Sequence, residues 1–198
     1  MPPLPPPVPL TQASVRASRP APQPRRHVPV KGRTKIWSEE YLSGDAEAVA
    51  LVPDGNGLPR LRLVRERNWL ALQTPGGGLI NPKSTGLYKL DIFSLSVRGS
   101  SHYAAATKRA ALSPGSTVRL VREPENEFDG NAIAIYANTG GSPIGYVNKM
   151  NARRLAKRLD SGEEFVAITT RGSAAGRDDE GTTVLITTPA ILARLRSA

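Results

Sequence analysis

From about residue 91 the chain alternates short apolar runs with turn signals. Ile92–Val97 has the composition of a strand that ends at Arg98-Gly99. Thr117–Arg122 and Asn131–Ala137 follow, and Ile133 and Ile135 share one face of the second. Asn138-Thr139-Gly140-Gly141 turns the chain into Ile144-Gly145-Tyr146-Val147. Glu164–Thr170 and Thr182–Thr187 form a late pair across the polar loop Gly172–Gly181. One helix interrupts the strands. Ala152, Leu155, Ala156 and Leu159 recur at helical spacing in Lys149–Asp160, with Asn148 as cap and Gly162 as stop. A last helix starts at Pro189, with Thr188 as cap and Ile191, Leu192 and Leu195 facing inward. Many short strands around one or two helices predict a mainly β fold, a small barrel rather than a βαβ sheet.

Upstream, Ala48–Val52, Leu61–Arg65 and Trp69–Gln73 read as three short strands of a β-meander, punctuated by Asp54-Gly55-Asn56-Gly57 and Pro75-Gly76-Gly77-Gly78. The meander has too little apolar mass to stand alone and is expected to pack on the barrel. Ten of the eighteen prolines fall in the first thirty residues. Proline removes amide donors and fixes φ, so residues 1–34 are expected to be a disordered Pro/Arg-rich arm. The expected organisation is 1–34 arm, 35–90 short β-rich module without readable chemistry, and 91–198 barrel.

The net charge of +10 favours a polyanionic partner, nucleic acid first. It is unevenly placed: residues 1–35 carry +7, residues 36–91 carry −1 and residues 92–198 carry +4. Much of the basicity therefore belongs to the arm, which would bind phosphate without sequence preference. With no cysteine and only His27 and His102, a thiolate site is excluded and no metal site is expected. No Walker-type Gly-Lys-Ser/Thr loop and no Gly-x-Ser-x-Gly elbow occurs, so no catalytic residue and no cofactor is assigned. No apolar run reaches membrane-spanning length, and Met1–Pro7 lacks the regions of a secretory signal. The expectation is a soluble, cytoplasmic, nucleoid-associated protein with no membrane or small-molecule partner.

The candidate chemistry lies between the second and third strands of the barrel. Leu120–Ile135 encloses a loop with one arginine, four acids, two asparagines and a single aromatic, Phe128. Two readings of it are open from the residues alone. In one, Asp129 bonds backbone amides ahead of Gly130 as an ordinary turn, and Phe128 plugs the barrel end. In the other, Phe128 stacks on a base while Asp129 accepts a hydroxyl proton. The acids Glu123, Glu125, Glu127 and Asp129 would repel a continuous phosphate backbone. A site for one terminal hydroxyl tolerates them and would reject a terminal phosphate. On the helix, Arg153, Arg154, Lys157 and Arg158 fall on the arc opposite the apolar stripe, all of one sign.

The run Arg122-Glu123-Pro124-x-Asn126-x-Phe128-Asp129-x-Asn131-Ala132-Ile133-x-Ile135, then Ile144-Gly145-Tyr146-Val147 and a helix, resembles the HIRAN domain family. So does Val97-Arg98-Gly99-Ser100-Ser101-His102-Tyr103 upstream. The resemblance covers roughly residues 91–190, about half the chain, and its specificity lies in the joint pattern. It implies an OB-like barrel. The family is found at the N-terminus of helicase-like remodellers and as stand-alone bacterial and phage proteins, and in the remodellers it recognises the 3′-hydroxyl end of single-stranded DNA.

The resemblance puts Phe128 where the family has a base-stacking tyrosine and Asp129 where an aspartate holds the terminal hydroxyl. It places Asn126 near the sugar, Tyr103 at one of a pair of aromatics, and Lys149 at a phosphate. His102 stands where the second aromatic is usually tyrosine, and Ser101 where the remodeller domains carry a phosphate-binding arginine. Loss of that arginine removes a charged hydrogen bond of roughly 1.5–3 kcal/mol. A smaller ring at 102 weakens a stack worth roughly 1–3 kcal/mol.

The expected function is therefore single-stranded DNA binding with preference for a free 3′-hydroxyl end, in repair or replication-fork processing, beside a helicase or nuclease partner. The expected contacts are His102, Tyr103, Arg122, Asn126, Phe128, Asp129, Lys149, Arg153 and Arg154. Two alternatives stand beside it: a metal-dependent DNA-processing hydrolase or nuclease built on the clustered carboxylates, and a protein-interaction adaptor.

Overall fold

A computed structural model describes residues 41–138, 141–177 and 181–197. The arm expected over residues 1–34 lies outside the described residues. The described residues form one compact unit. It opens with a helix, α1 (Gly44–Ala50), where a strand was expected over Ala48–Val52. Three alanines in seven residues favour helix, and Asp45 and Glu47 in the first turn complement its dipole. A three-stranded antiparallel meander follows: β1 (Arg62–Glu66), β2 (Trp69–Gln73) and β3 (Leu79–Ile80).

The second sheet has six antiparallel strands. They are β4 (Phe93–Ser96), β5 (Thr117–Arg122), β6 (Ile133–Ala137), β7 (Pro143–Tyr146), β8 (Val166–Arg171) and β9 (Thr183–Thr187), in the order β4-β9-β8-β5-β6-β7. The sheet curls until its two edges meet. Just past β4, Arg98 pairs with Tyr146 of β7 through two backbone hydrogen bonds of 2.8 Å. Gly145 makes this closure possible. Its φ is 145°, and a Cβ there would lie 2.4 Å from Val97 Cγ1 and 2.5 Å from the Arg98 carbonyl oxygen. The result is an OB-like half-barrel.

Three further helices dress the sheet: α2 (Ala104–Arg109), α3 (Lys149–Asp160) and α4 (Pro189–Ser197). Asn148 Oδ1 accepts the Asn151 amide at 3.0 Å, so α3 is capped as expected. It ends in a Schellman turn: the Glu163 amide reaches the Arg158 carbonyl at 3.0 Å, with Gly162 at φ 87°. The chain after β4 was expected to be a loop. Instead it runs through a 3-10 turn, Ser100–Tyr103, into α2. Thr107 Oγ1 donates locally to the carbonyl of the cap residue Tyr103 at 3.1 Å and reaches the Ile144 carbonyl of β7 at 3.5 Å, which ties α2 to the barrel.

Two apolar cores share β8 and β9. Ala167, Val184 and Ile186 point into the barrel with Val118, Ile133, Ile135, Ile144 and Leu155. Ile168 and Leu185, on the other face, pack with Leu61, Leu72 and Ile80 of the meander and Ile191, Leu192 and Leu195 of α4. Strands buried on both faces read as near-continuous apolar runs, which is what Val184-Leu185-Ile186 shows. The meander is thus fastened to the side of the barrel opposite its interior. Each fully buried Leu or Ile contributes about 1.5–3 kcal/mol to that union.

Candidate nucleic-acid interface

The pairing of β5 with β6 runs from Val118↔Ala137 to Arg122↔Ile133, and β7 lies along the other side of β6. The Val147 amide then donates to the Ile133 carbonyl at 3.1 Å. This register sets the loop Glu123–Asn131 beside Tyr146 and the first turn of α3.

Inside the loop almost every polar group is satisfied locally. Asn126 Oδ1 accepts the amides of Phe128 (3.0 Å) and Asp129 (3.2 Å), and Asn126 Nδ2 donates to Glu123 Oε2 at 2.8 Å. The same Glu123 oxygen accepts the Tyr146 hydroxyl at 3.1 Å. Asp129 Oδ1 accepts the Asn131 amide at 2.9 Å and the Asn131 side chain at 3.2 Å. These bonds build two successive Asx turns, which brace the loop without an apolar plug.

Phe128 is consequently not needed inside. It is 90% exposed, whereas Ile133 and Ile135 of the neighbouring strand are fully buried. Of the two loop readings, the backbone part of the turn reading holds, because Asp129 does bond a following amide. The plug part fails.

Asp129 is half-buried, and its Oδ2 accepts nothing from the described residues. The Asn131 amide is the main cause that holds its carboxyl below the usual carboxylate range. The Asn131 side chain and the charges of Lys149 and Arg122 add to this, while burial opposes it. The loop therefore presents an ionised oxygen with a vacant lone pair next to a bare aromatic ring.

Tyr103 stands across from this loop. Its ring centroid is 6.0 Å from that of Tyr146, with the rings tilted by 46°. The Tyr146 hydroxyl is pushed above the usual phenol range, first by its hydrogen bond with Tyr103, then by burial and the Glu123 charge. A phenol held neutral in this way remains a donor to Glu123. Tyr146, Glu123 and Asn126 thus form one connected polar chain that ends at the amide of Phe128, with the Tyr103 ring packed beside Tyr146.

The expected contacts divide. Tyr103, Phe128, Asp129 and Lys149 come together at this end of the barrel. His102 is exposed in the 3-10 turn before Tyr103, its amide bonded to the Gly99 carbonyl at 2.9 Å. Asn126 is in the site but has both lone pairs of its carbonyl oxygen occupied by the loop, so it shapes the turn rather than reading a sugar. Arg122 is turned away from solvent, with its side chain 17% exposed. It makes paired 3.0 Å bonds to both Asp160 oxygens and a 3.1 Å bond to the Ala132 carbonyl. A fork bound on both prongs ties β5 to the end of α3. Its guanidinium, expected as a nucleic-acid contact, is thus committed to bonds within the fold.

The single-sign face of α3 also divides. Lys149, Arg153 and Lys157 form one i, i+4, i+8 row, exposed and without an ion pair among the described residues. Arg154 and Arg158 form the other row and lean on the barrel. The Arg154 guanidinium lies 5.5 Å from the Tyr88 ring centre, and that of Arg158 lies 4.8 Å from the Phe165 ring centre. Arg158 is also paired with Asp91 and with Glu163, at 2.7 Å to Glu163 Oε2. The side-chain bonds to Glu163 and Asp91 raise its already high pKa further. Sequence reasoning treated these residues as one charged face because the neutralising acids lie on other elements.

It also assigned no role to Tyr146 or Asn131, and read Glu123 only as one of four loop acids. The available signal was the position of Tyr146, a hydroxyl-bearing ring in a strand between buried Ile144 and Val147. Among the described residues no three His, Asp or Glu side chains are grouped as metal ligands would be. No helix among them is long and apolar enough to cross a membrane.

A curled, mainly β half-barrel with an exposed ring and acid on the loop between two of its strands is the class this fold and site define. Residues 90–185 match the HIRAN domain family. The chain carries a HIRAN domain over those residues, and HIRAN domains are nucleic-acid-binding modules. Among solved structures the chain is similar to a protein from Lactobacillus plantarum, with 22% identity and a TM-score of 0.38, covering 48% of this chain and 91% of that one. It is also similar to the HIRAN domain of human HLTF in its crystal structure, with 18% identity, a TM-score of 0.37, and 52% and 82% coverage. The NMR structure of the HLTF HIRAN domain matches with 20% identity, a TM-score of 0.32, and 54% and 87% coverage. No curated protein matches the chain.

Proposed function

We propose that the barrel binds single-stranded DNA and prefers a free 3′-hydroxyl end. One observation carries the reading: on a loop fixed by its own hydrogen bonds, a 90% exposed Phe128 stands directly before Asp129, an ionised carboxylate with an unoccupied oxygen. Phe128 stacks the last base, a contact worth roughly 1–3 kcal/mol. Asp129 Oδ2 accepts the hydrogen of the terminal hydroxyl. Lys149 and Arg153 hold the phosphates that lead away from the end. A terminal phosphate would face Asp129 with no donor to offer, beside exposed Glu125 and Glu127. End capture of this kind suits DNA repair or fork processing, with a helicase or nuclease acting on the same end.

Fluorescence anisotropy with oligonucleotides that differ only in a 3′-hydroxyl or 3′-phosphate tests the reading. The hydroxyl form should bind about tenfold more tightly, a difference of ~1.4 kcal/mol. Equal affinity would reduce the binding to the electrostatics of the basic arm.

A further inference from the structure

Four large apolar side chains are well exposed among the described residues: Val49, Val52, Phe128 and Met150. The first two sit together at the end of α1. The other two belong to one place. Met150 is 67% exposed in the first turn of α3, next to Lys149. The backbone brings that turn to the loop: Val147 bonds Ile133, and the Ala132 amide bonds the Asp129 carbonyl at 2.8 Å. Residues 129–131 therefore lie across from the chain that enters α3. The electrostatic effect of Lys149 on Asp129 agrees with this proximity.

An exposed methionine at a helix N-terminus is not explained by folding. The stripe that docks α3 consists of Ala152, Leu155 and Ala156, and Met150 lies off it. Its side chain is long, unbranched and polarisable, suited to lie against an aromatic face or a sugar.

We infer that Met150 is a second apolar contact for the terminal nucleoside, taking the base that Phe128 stacks and setting how strongly the site depends on that base. This rests on the end-capture reading above. Thioether–aromatic contact is modest, so it adds selectivity for an end that carries a base while Asp129 supplies selectivity for the hydroxyl. A 3′ end that has lost its last base would keep the hydroxyl and phosphate contacts and lose both apolar ones.

The test uses the full chain. It contains two methionines, Met1 and Met150, so methyl-13C-methionine labelling gives one reporter at the site and one control. A 3′-hydroxyl oligonucleotide should shift the Met150 methyl signal by ring current, and the same oligonucleotide with an abasic terminal nucleotide should not. In anisotropy, Met150→Ala should weaken binding of the intact end about fivefold, Met150→Leu should restore most of it, and binding of the abasic end should be unchanged by either. An unmoved methyl signal, or equal loss on intact and abasic ends, overturns the inference even where the wild type distinguishes hydroxyl from phosphate. A wild type that makes no such distinction overturns the end-capture reading and this inference together.

Discussion

The tripeptide Asp-Gly-Asn occurs twice in this chain, at Asp54-Gly55-Asn56 and at Asp129-Gly130-Asn131. The local chemistry is the same in both. Asp54 Oδ1 accepts the Asn56 amide at 2.9 Å and the Leu58 amide at 3.0 Å, and Asp129 Oδ1 accepts the Asn131 amide at 2.9 Å. Both carboxyls are held below the usual range, in each case mainly by the backbone amides they accept. A depressed carboxyl adds stability that is present above its unfolded value and lost as the pH falls through its folded one, so the two turns share an acid sensitivity.

They differ in their neighbours. Asp54 closes a turn that leads to the meander, with both bonds going to its own turn. Asp129 follows a bare phenylalanine, lies across from Lys149, and is braced through Asn126 by the Tyr146–Glu123 contact. An Asx turn is therefore scaffold in both places, and the second becomes a candidate site through what surrounds it.

The largest effect should come from the feature that the first turn lacks. Phe128→Ala removes a stacking face that no part of the core uses. Affinity for a 3′-hydroxyl oligonucleotide should fall roughly 10–100-fold, while the thermal midpoint by calorimetry stays at the wild-type value. A large drop in the midpoint would return Phe128 to a structural role.

The next contrast sets the two aspartates against each other. Asparagine keeps the acceptor that each turn needs, removes the charge and turns the second carboxylate oxygen into an amide donor. Asp129→Asn should bring the affinities for hydroxyl and phosphate ends to within about a factor of two of each other, because the charge that repels a terminal phosphate disappears. Asp54→Asn should leave that ratio untouched. A ratio that moves equally in both variants would mean general surface charge, not a site.

The smallest expected effect separates the two rows of α3. Arg153→Gln should lower the salt slope of binding by about one counterion with little change in stability. Arg158→Gln should leave the slope alone and lower the urea midpoint, since it leaves Asp91 and Glu163 without their shared partner. The reverse outcome would mean that the inner row, not the exposed one, faces the ligand.

Much of this was legible in the sequence where the determining interactions are local. α3 runs from Lys149 to Asp160 between the expected cap and stop, because both signals act within one turn of the helix end. β5 matches its apolar pattern over Thr117–Arg122. Phe128 and Asp129 could be singled out because ring and acid are adjacent in the chain. Legibility ended where partners come from afar. Tyr146 meets Glu123 only after β5, β6 and β7 pair, a separation of 23 residues, and Arg122 meets Asp160 across 38. α2 has no side-chain cap and only six residues, so the contact of Thr107 with the Ile144 carbonyl, rather than its own propensity, defines it. At Ala48–Val52 the apolar content was read as strand although the alanines and leading acids favour helix.

The seam of the half-barrel and the brace of the loop meet at one residue. Tyr146 gives its backbone to the Arg98 closure and its hydroxyl to Glu123, while Gly145 beside it leaves no room for any side chain. Any opening of that joint would therefore move the backbone of the residue whose phenol braces the loop.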